Sequence, residues 1–510
     1  MNSANGTEMK EVDYIQPNLP PKCLYDKNNL KNNPHSTVTR NSEQKIYPNI
    51  LHCIGNTPLI KLNKIPESMG IQCDVLVKCE FLNPGGSIKD RPALSMIQEA
   101  ESQGLLKPGS VMIETTSGNT GIAMAMVSAV KGNIFVFPEK SSVEKEDILK
   151  ALGGQIVRTS DKIPYHLPGG VFHKPKELQN KIPNSIVLNQ FYNSHNPLAH
   201  YHTTSAEIVE QCDGKVDMVA MGVGTGGTMT GIGRRLKELV PECLIVGVDP
   251  YGSSIADPPS LNETDVTFFE VEGIGHSYCP TTLDKRVADF WVKVGDKEAL
   301  NMARRLHREE GLLCGASSGT ILCGALEGAK KLKKGQTCIA ILPDGVANYL
   351  SKFTSDYWME ARNLIPCPNT YNHWWWDDKV SVLDPTVGLS ISNISTCQET
   401  IDLMKKGGHK VLAVIDNEQK LLGITTPKDL LKRFFNSTVK PDDAIEFAVS
   451  DKYRTVTPNS NLGILSRILD NEGMAMVVEH EEKASNQQNG KFIGVLFPAD
   501  FLQYISENRP

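Results

Sequence analysis

Hydrophobic and polar positions divide this chain into unlike stretches. Residues 1–45 are rich in Asn, Lys and Pro and poor in aliphatics, which predicts an extended tail. From Ile46 to Asn363, short apolar runs alternate with segments of helical period. The runs are "DVLVKCE", "SVMIET", "NIFVFPE", "QIVRT", "SIVLNQ", "DMVAMGV", "LIVGVDP" and "CIAILPD"; "NTGIAMAMVSAVKG" and "TMTGIGRRLKELVP" are the clearest helices. Nearly continuous apolar strands separated by helices predict an α/β domain over 46–363, its parallel sheet covered on both faces. The stretch "IPCPNTYNHWWWDDK" reads as a linker over 364–384. Residues 385–510 carry the order helix, strand, turn, strand, helix twice, first in "TCQETIDLMKKGGHKVLAVIDNEQKLLGITTPKDLLKRFF". The second copy begins at "PNSNLGILSRILDNEGMAMVVEH". Two copies predict an internal repeat packed face to face, with no evident catalytic group.

Composition narrows the function classes. At 510 residues the chain is expected to hold two or three domains. Hydrophobic residues make up 40% and charged residues 22%, an ordinary globular balance. A formal net charge of −6 argues against a nucleic-acid binder held by phosphate contacts. No apolar run is long enough to span a bilayer, so no membrane partner is expected. The polar start "MNSANGTEMKEVDYIQ" lacks the apolar core of a secretory signal. Twelve scattered cysteines then read as reduced thiols, and a cytoplasmic location is expected.

Three turns carry candidate chemistry. "NPGGSIKDRP" sets Lys89 behind two glycines and a serine, just before a predicted helix. "ETTSGNTGIAM" and "GVGTGGTMTGIGRRL" each follow a strand and open a helix, where bare backbone N–H groups and the helix N-terminus favour an anion. "GVGTGG" also fits G-x-G-x-x-G, and Asp249 ends the next strand, so a dinucleotide site stays open. That reading leaves the other two turns without a role, whereas a phosphate on a smaller cofactor uses all three. A lysine in a tight turn beside an anion cradle suggests a Schiff base to pyridoxal phosphate. The competing reading of Lys89 is an ordinary surface charge.

The motifs "NPGGSIKDR", "TSGNTG", "NPLAHY", "GVGTGGTMTGI", "VEGIG" and "GLLCGASSG", in this order, resemble the cystathionine β-synthases. These belong to the fold type II, tryptophan-synthase-β-like pyridoxal-phosphate enzymes. The first two motifs would also fit a cysteine synthase; the tail, the Trp triplet Trp374–Trp376 and a C-terminal Bateman pair of CBS repeats point to the synthases. The resemblance implies two parallel-sheet subdomains with an α+β Bateman module. It implies that Lys89 carries the cofactor and removes the substrate α-proton, and that Asn119 meets the ring's phenolic oxygen. Gly224, Thr225, Gly226, Gly227 and Thr228 match the phosphate loop, and Ser317 matches the group facing the pyridine nitrogen. A neutral hydroxyl there makes the ring a weaker electron sink, which suits expulsion of a β-substituent over transamination. Thr116, Ser117, Thr120, Gln190 and Gly273 match substrate-side positions. Cys23 and His35 resemble the axial ligands of haem b in the animal enzymes, although 35 − 23 = 12 positions is one fewer than their usual spacing. Arg234 matches an arginine near the haem thiolate.

The implied reaction condenses serine with homocysteine to cystathionine and water, and cysteine in place of serine would release hydrogen sulfide. A homodimer or higher assembly is expected. This chain departs from the family pattern at Thr115 (a proline), Phe191 and His276 (tyrosines) and Ala316 (a glycine), and "YHLPGGVF" replaces a "DSPES"-like stretch. Asp500 matches a ribose-binding carboxylate of the Bateman pair, but Phe497 replaces a threonine, which weakens the case for an adenosyl ligand. The alternatives are a cysteine synthase, a serine dehydratase-like enzyme, and a weakened homologue that senses haem or a ligand.

Overall fold

Strands buried on both faces need apolar residues at every position, and the runs "DMVAMGV", "LIVGVDP" and "CIAILPD" become such strands. The computed structural model describes residues 46–509 except 117, 132–133, 138–142, 158–172, 267, 436–438, 451–452 and 480–489. The chain divides after Pro48, and every element below belongs to the Asn49–Pro510 unit. In chain order come strands β1 (Leu59–Lys61) and β2 (Asp74–Cys79), helix α1 (Asp90–Ser102), β3 (Val111–Ile113), α2 (Asn119–Lys131) and β4 (Ile134–Phe137). They are followed by α3 (Val143–Ala151), β5 (Gln155–Ile156), β6 (Ser185–Val187), β7 (Met218–Gly222), α4 (Gly227–Leu239) and β8 (Leu244–Pro250). Then come β9 (Phe290–Val294), α5 (Asp296–Glu310), α6 (Ala316–Ala329) and β10 (Thr337–Leu342).

These strands form two sheets, ordered β1-β2-β10-β7-β8-β9 and β5-β4-β3-β6. Every pairing is parallel except β1 with β2. The helices cover them with apolar stripes: α1 buries Ala93, Met96, Ile97 and Ala100, a helical spacing of three and four. Two strands, β1 and β9, and helices α5 and α6 fall outside the runs that periodicity singled out. In "QIVRT" the strand covers only Gln155–Ile156 among the described residues.

The C-terminal repeats run β11 (Ser390–Ser392), α7 (Cys397–Gly407), β12 (Leu412–Ile415), β13 (Leu421–Thr425) and α8 (Pro427–Phe435). The second runs β14 (Thr455–Val456), α9 (Leu462–Glu472), β15 (Ala475–Glu479), β16 (Lys491–Leu496) and α10 (Pro498–Glu507). Each copy therefore opens with a short strand that the sequence pattern lacked; two or three residues show no period. β11 and β14 pair in parallel with β12 and β15, whose hairpin partners run antiparallel. Both sheets share one core, where Val414 and Ile424 meet Met476, Val478 and Val495. The Trp-rich stretch is a packed strap: Trp375 and Trp376 are buried with Leu462, Leu465 and Phe501. Gly463 admits this contact, because a Cβ there would lie 2.5 Å from the Trp376 indole.

Candidate active site

Parallel strands release their chains at one edge, and the site is built there. The register of β2 and β10 sets Cys79 beside Leu342, and β7 lies on the other side of β10. The turn holding Lys89, the segment from Pro343 and the glycine-rich loop after Gly222 therefore leave the same edge. Lys89 lines one cavity with Ile88, Gly224, Thr225, Thr228 and Gly273, so it is not a surface lysine. Burial pushes its amine below the ordinary lysine range, with the charge of Asp344 opposing. The turn itself is held by Asp90, whose Oδ2 accepts from the Gly85 N–H at 2.6 Å.

The glycine loop is a cradle that side chains would fill. A Cβ on Gly224 would meet the Gly273 carbonyl oxygen at 2.5 Å, and one on Gly227 the Asn196 Oδ1 at 2.0 Å. Gly226 caps α4 in the left-handed region at φ 85°. Bare N–H groups at a helix start are the donor set for a phosphate, so the cradle fits a phosphorylated cofactor. Neighbouring side chains aim its hydroxyls. Asn196 donates to Thr225 Oγ1 at 2.9 Å, and the His200 Nε2 lies 3.2 Å from Thr228 Oγ1. Burial holds His200 well below the usual imidazole range, so it is neutral.

Asn119 opens α2 from the other sheet, and its Nδ2 donates to Asp344 Oδ2 at 2.7 Å across the cleft. Ser317 lies buried at the start of α6, and the Gly315 N–H before it donates to the Asp344 carbonyl at 2.8 Å. On the loop before α2, Thr116 Oγ1 accepts from the N–H groups of Gly118 and Gly121 at 3.2 and 3.3 Å. Thr120 donates to Gln190 Oε1 at 2.6 Å, and Gln190 Nε2 returns to the Thr115 carbonyl at 2.6 Å. Thr115 also aims its N–H at the Glu114 carboxyl, a bond a proline would lack.

Several positions separate from this cluster. Arg234 is half-exposed and pairs with Asp284 at 2.9 Å beside a second depression, lined also by Tyr192 and Arg286. Asp500 accepts from the Phe497 N–H at 2.7 Å and so caps α10. Cys23, His35, Ser117 and the stretch 165–172 lie outside the described residues. The dinucleotide reading fails: Asp249 is buried against Lys293 at 2.8 Å, so the carboxylate that would hold a ribose is neutralised inside the fold. Phe191 and His276 form an aromatic trio with Tyr278, which stacks on His276 at 4.8 Å between ring centres. Tyr192 points outward, 72% exposed.

Sequence reasoning gave no role to Lys145, Glu272, Asn348, Tyr349 or Asp344. Lys145 is buried and meets Glu272 at 2.6 Å and the Tyr349 hydroxyl at 3.3 Å, while Lys352 pairs with the same glutamate. Asp344 stood at the end of the run "CIAILPD" and Glu272 inside the motif "VEGIG", but neither position pointed to a role.

A lysine in the turn before a helix, sharing a cavity with a glycine cradle, suits an enzyme that carries its cofactor covalently. Residues 50–344 match the family described as pyridoxal-phosphate dependent enzymes, and 389–436 match the CBS domain. Within that class the chain belongs to the cystathionine β-synthase family. It is 46% identical to the cystathionine beta-synthase of Apis mellifera over 503 residues, covering 98% of each chain. It is 42% identical to that of Oryctolagus cuniculus, covering 97% of this chain and 91% of the other. Among solved structures it resembles an O-acetylserine dependent cystathionine beta-synthase from Helicobacter pylori. That match is at 37% identity and a TM-score of 0.55, over 61% of this chain and 99% of that one. A hydrogen sulfide-producing enzyme from Fusobacterium nucleatum matches at 35% identity and a TM-score of 0.55, over 60% of this chain and 100% of that one.

Proposed function

We propose that this chain condenses L-serine with L-homocysteine to cystathionine and water, and releases hydrogen sulfide when cysteine replaces serine. The observation that carries this reading is Lys89 in one cavity with the glycine cradle and Gly273. Pyridoxal phosphate, when bound, supplies the electron sink that weakens bonds at the amino-acid α-carbon. The N–H groups of Gly224–Thr228, with the start of α4, hold its phosphate. Asn119 donates to its phenolic oxygen and Ser317 faces its pyridine nitrogen. Thr116, Ser117 and Thr120 hold the substrate carboxylate, with Gln190 and Gly273 beside them. Lys89 Nζ takes the α-proton; burial lowers its basicity, so more of it is unprotonated near neutrality.

The same reading assigns 1–45 to a haem b tail with Cys23 and His35 as axial ligands and Arg234 on the haem side. It places the cofactor domain over 46–363, a strap over 364–384 and the Bateman module over 385–510. A cytoplasmic homodimer or larger homo-oligomer follows. An adenosyl ligand at the Bateman module would have to use Asp500 without the threonine that Phe497 replaces.

Purified protein given serine and homocysteine should yield cystathionine, and Lys89→Ala should lower the rate by about 10³-fold or more. Cofactor bound, with no cystathionine formed, overturns the reading. Pyruvate from serine alone, or cysteine from sulfide, would assign a dehydratase or cysteine synthase instead. Haem absorption that disappears in Cys23→Ala or His35→Ala protein supports the tail assignment, and its absence from wild type overturns it.

A further inference from the structure

We propose that Asp344 is a positioning residue for the reaction, fixing which end of the Asn119 amide faces the cofactor. This rests on the pyridoxal-phosphate reading above. Asp344 follows β10 and is 1% exposed. Its Oδ2 accepts from Asn119 Nδ2 at 2.7 Å and from the Tyr349 hydroxyl at 2.5 Å. At the other end of the same amide, Asn119 Oδ1 accepts from Asn348 Nδ2 at 3.1 Å.

The two ends of an asparagine amide have nearly the same shape, so packing alone does not choose between them. A carboxylate only accepts, and an amide NH₂ only donates. Asp344 therefore selects the orientation, and the Asn348 amide, which can present either end, complements it. One Nδ2 hydrogen goes to Asp344 in a charge-assisted bond, and the second is left to donate to the phenolic oxygen. Were the amide turned over, its carbonyl would face that oxygen and repel it.

The backbone makes the same residue a junction. Ser87 and Asp344 form an antiparallel bridge, and the Ile88 N–H donates to the Pro343 carbonyl at 2.7 Å, tying down the turn of Lys89. The Gly315 N–H donates to the Asp344 carbonyl, tying down the start of α6 and Ser317. A Cβ on Gly315 would strike Asp344 Oδ1 at 2.0 Å, so no larger residue fits there. Three elements carrying Lys89, Asn119 and Ser317 thus meet at one residue, the first and last through its backbone and Asn119 through its side chain. Burial raises the Asp344 carboxyl above the usual carboxylate range, with Glu272 adding to it, while Lys145 and the Tyr349 and Asn119 donors pull the other way.

The test is the visible absorption of cofactor-loaded protein, in a Cys23→Ala background that keeps haem out of the window. Borohydride trapping on Lys89 reports cofactor attachment separately. Asp344→Asn keeps the shape but presents either a donor or an acceptor to Asn119. We expect the cofactor to remain attached while the ratio of its visible to near-ultraviolet bands falls about fivefold, the effect of one lost hydrogen bond. In an Asn119→Ala background the same substitution should change the ratio less than about twofold. An unchanged ratio in Asp344→Asn overturns the proposal, and so does an equal change with and without Asn119. If Asp344→Asn protein is insoluble, Asn348→Asp, which sets a carboxylate against Asn119 Oδ1, must give the band change or the proposal fails. No borohydride-trapped cofactor in the parent protein would instead refute the pyridoxal-phosphate reading itself.

Discussion

Glu114 follows β3 at the start of the loop that leads into α2, and it is fully buried. Burial pushes its carboxyl up to about 8, although the N–H groups of Gln190, Asn189 and Thr115 point toward it and pull the other way. The ordinary value is 4.5, so between the two the folded chain holds a proton that the unfolded chain has lost. Its contribution to stability is therefore complete below about pH 4.5 and is lost as pH rises through about 8. Glu114→Gln removes this titration. The variant's melting temperature should fall less than the wild type's between those limits, a difference on the order of a few kcal/mol in stability. Parallel melting curves would count against the buried-acid account. The aromatic trio makes a second expectation at this scale. His276→Tyr restores a hydroxyl beside Phe191 and Tyr278, and it should change the KM for the second substrate more than kcat. Equal effects on both constants would remove the trio from substrate selection.

Elements matter here through where they begin. α2 and α4 open at Asn119 and Gly227, each just after a turn that carries candidate site residues, and α6 opens at Ala316, one residue before Ser317. The α4 start tolerates no side chain. Gly226→Ala would combine a left-handed backbone with a Cβ 2.5 Å from that of Leu283. We expect a loss of about 2–4 kcal/mol in stability, with weaker cofactor retention on dialysis. Retention equal to wild type would show that the cradle is not the phosphate site. The glycine pattern and the apolar runs made these turns readable. β1, β9, β11 and β14 were not, because short or edge strands acquire their identity from the neighbour they pair with.

At the scale of the molecule, charge joins the Bateman module to the loop before Gly273. Glu270 pairs with Arg362 at 3.1 Å and with Arg454 ahead of β14, and Arg362 also reaches Glu472 of α9 at 3.0 Å. Two residues along, Glu272 holds Lys145 and Lys352 over the cleft. Glu270→Ala leaves two partly buried guanidinium groups facing each other. It should cost about 1–3 kcal/mol, read as a lower melting temperature. Trp376→Ala should cost about 3–5 kcal/mol, because its indole fills the space that Gly463 leaves. A loss below about 1 kcal/mol would mean that the stretch behaves as a linker after all.

What the sequence determined by itself was everything local: apolar strands, glycine-rich helix starts, a doubled C-terminal unit, and the turn that presents Lys89. Those features depend on neighbours along the chain, so they need no tertiary contact. Tertiary structure decided what depends on neighbours in space. It set Lys89 inside a cavity, neutralised Asp249 with Lys293 and turned Tyr192 outward. It also gave a plain aspartate at the end of an apolar run its contacts with Asn119, Ser87 and Gly315. Asp344 and Asn119 are separated by 225 positions. No periodicity spans that distance; the register of β10 in one sheet and the start of α2 beside the other bring them together.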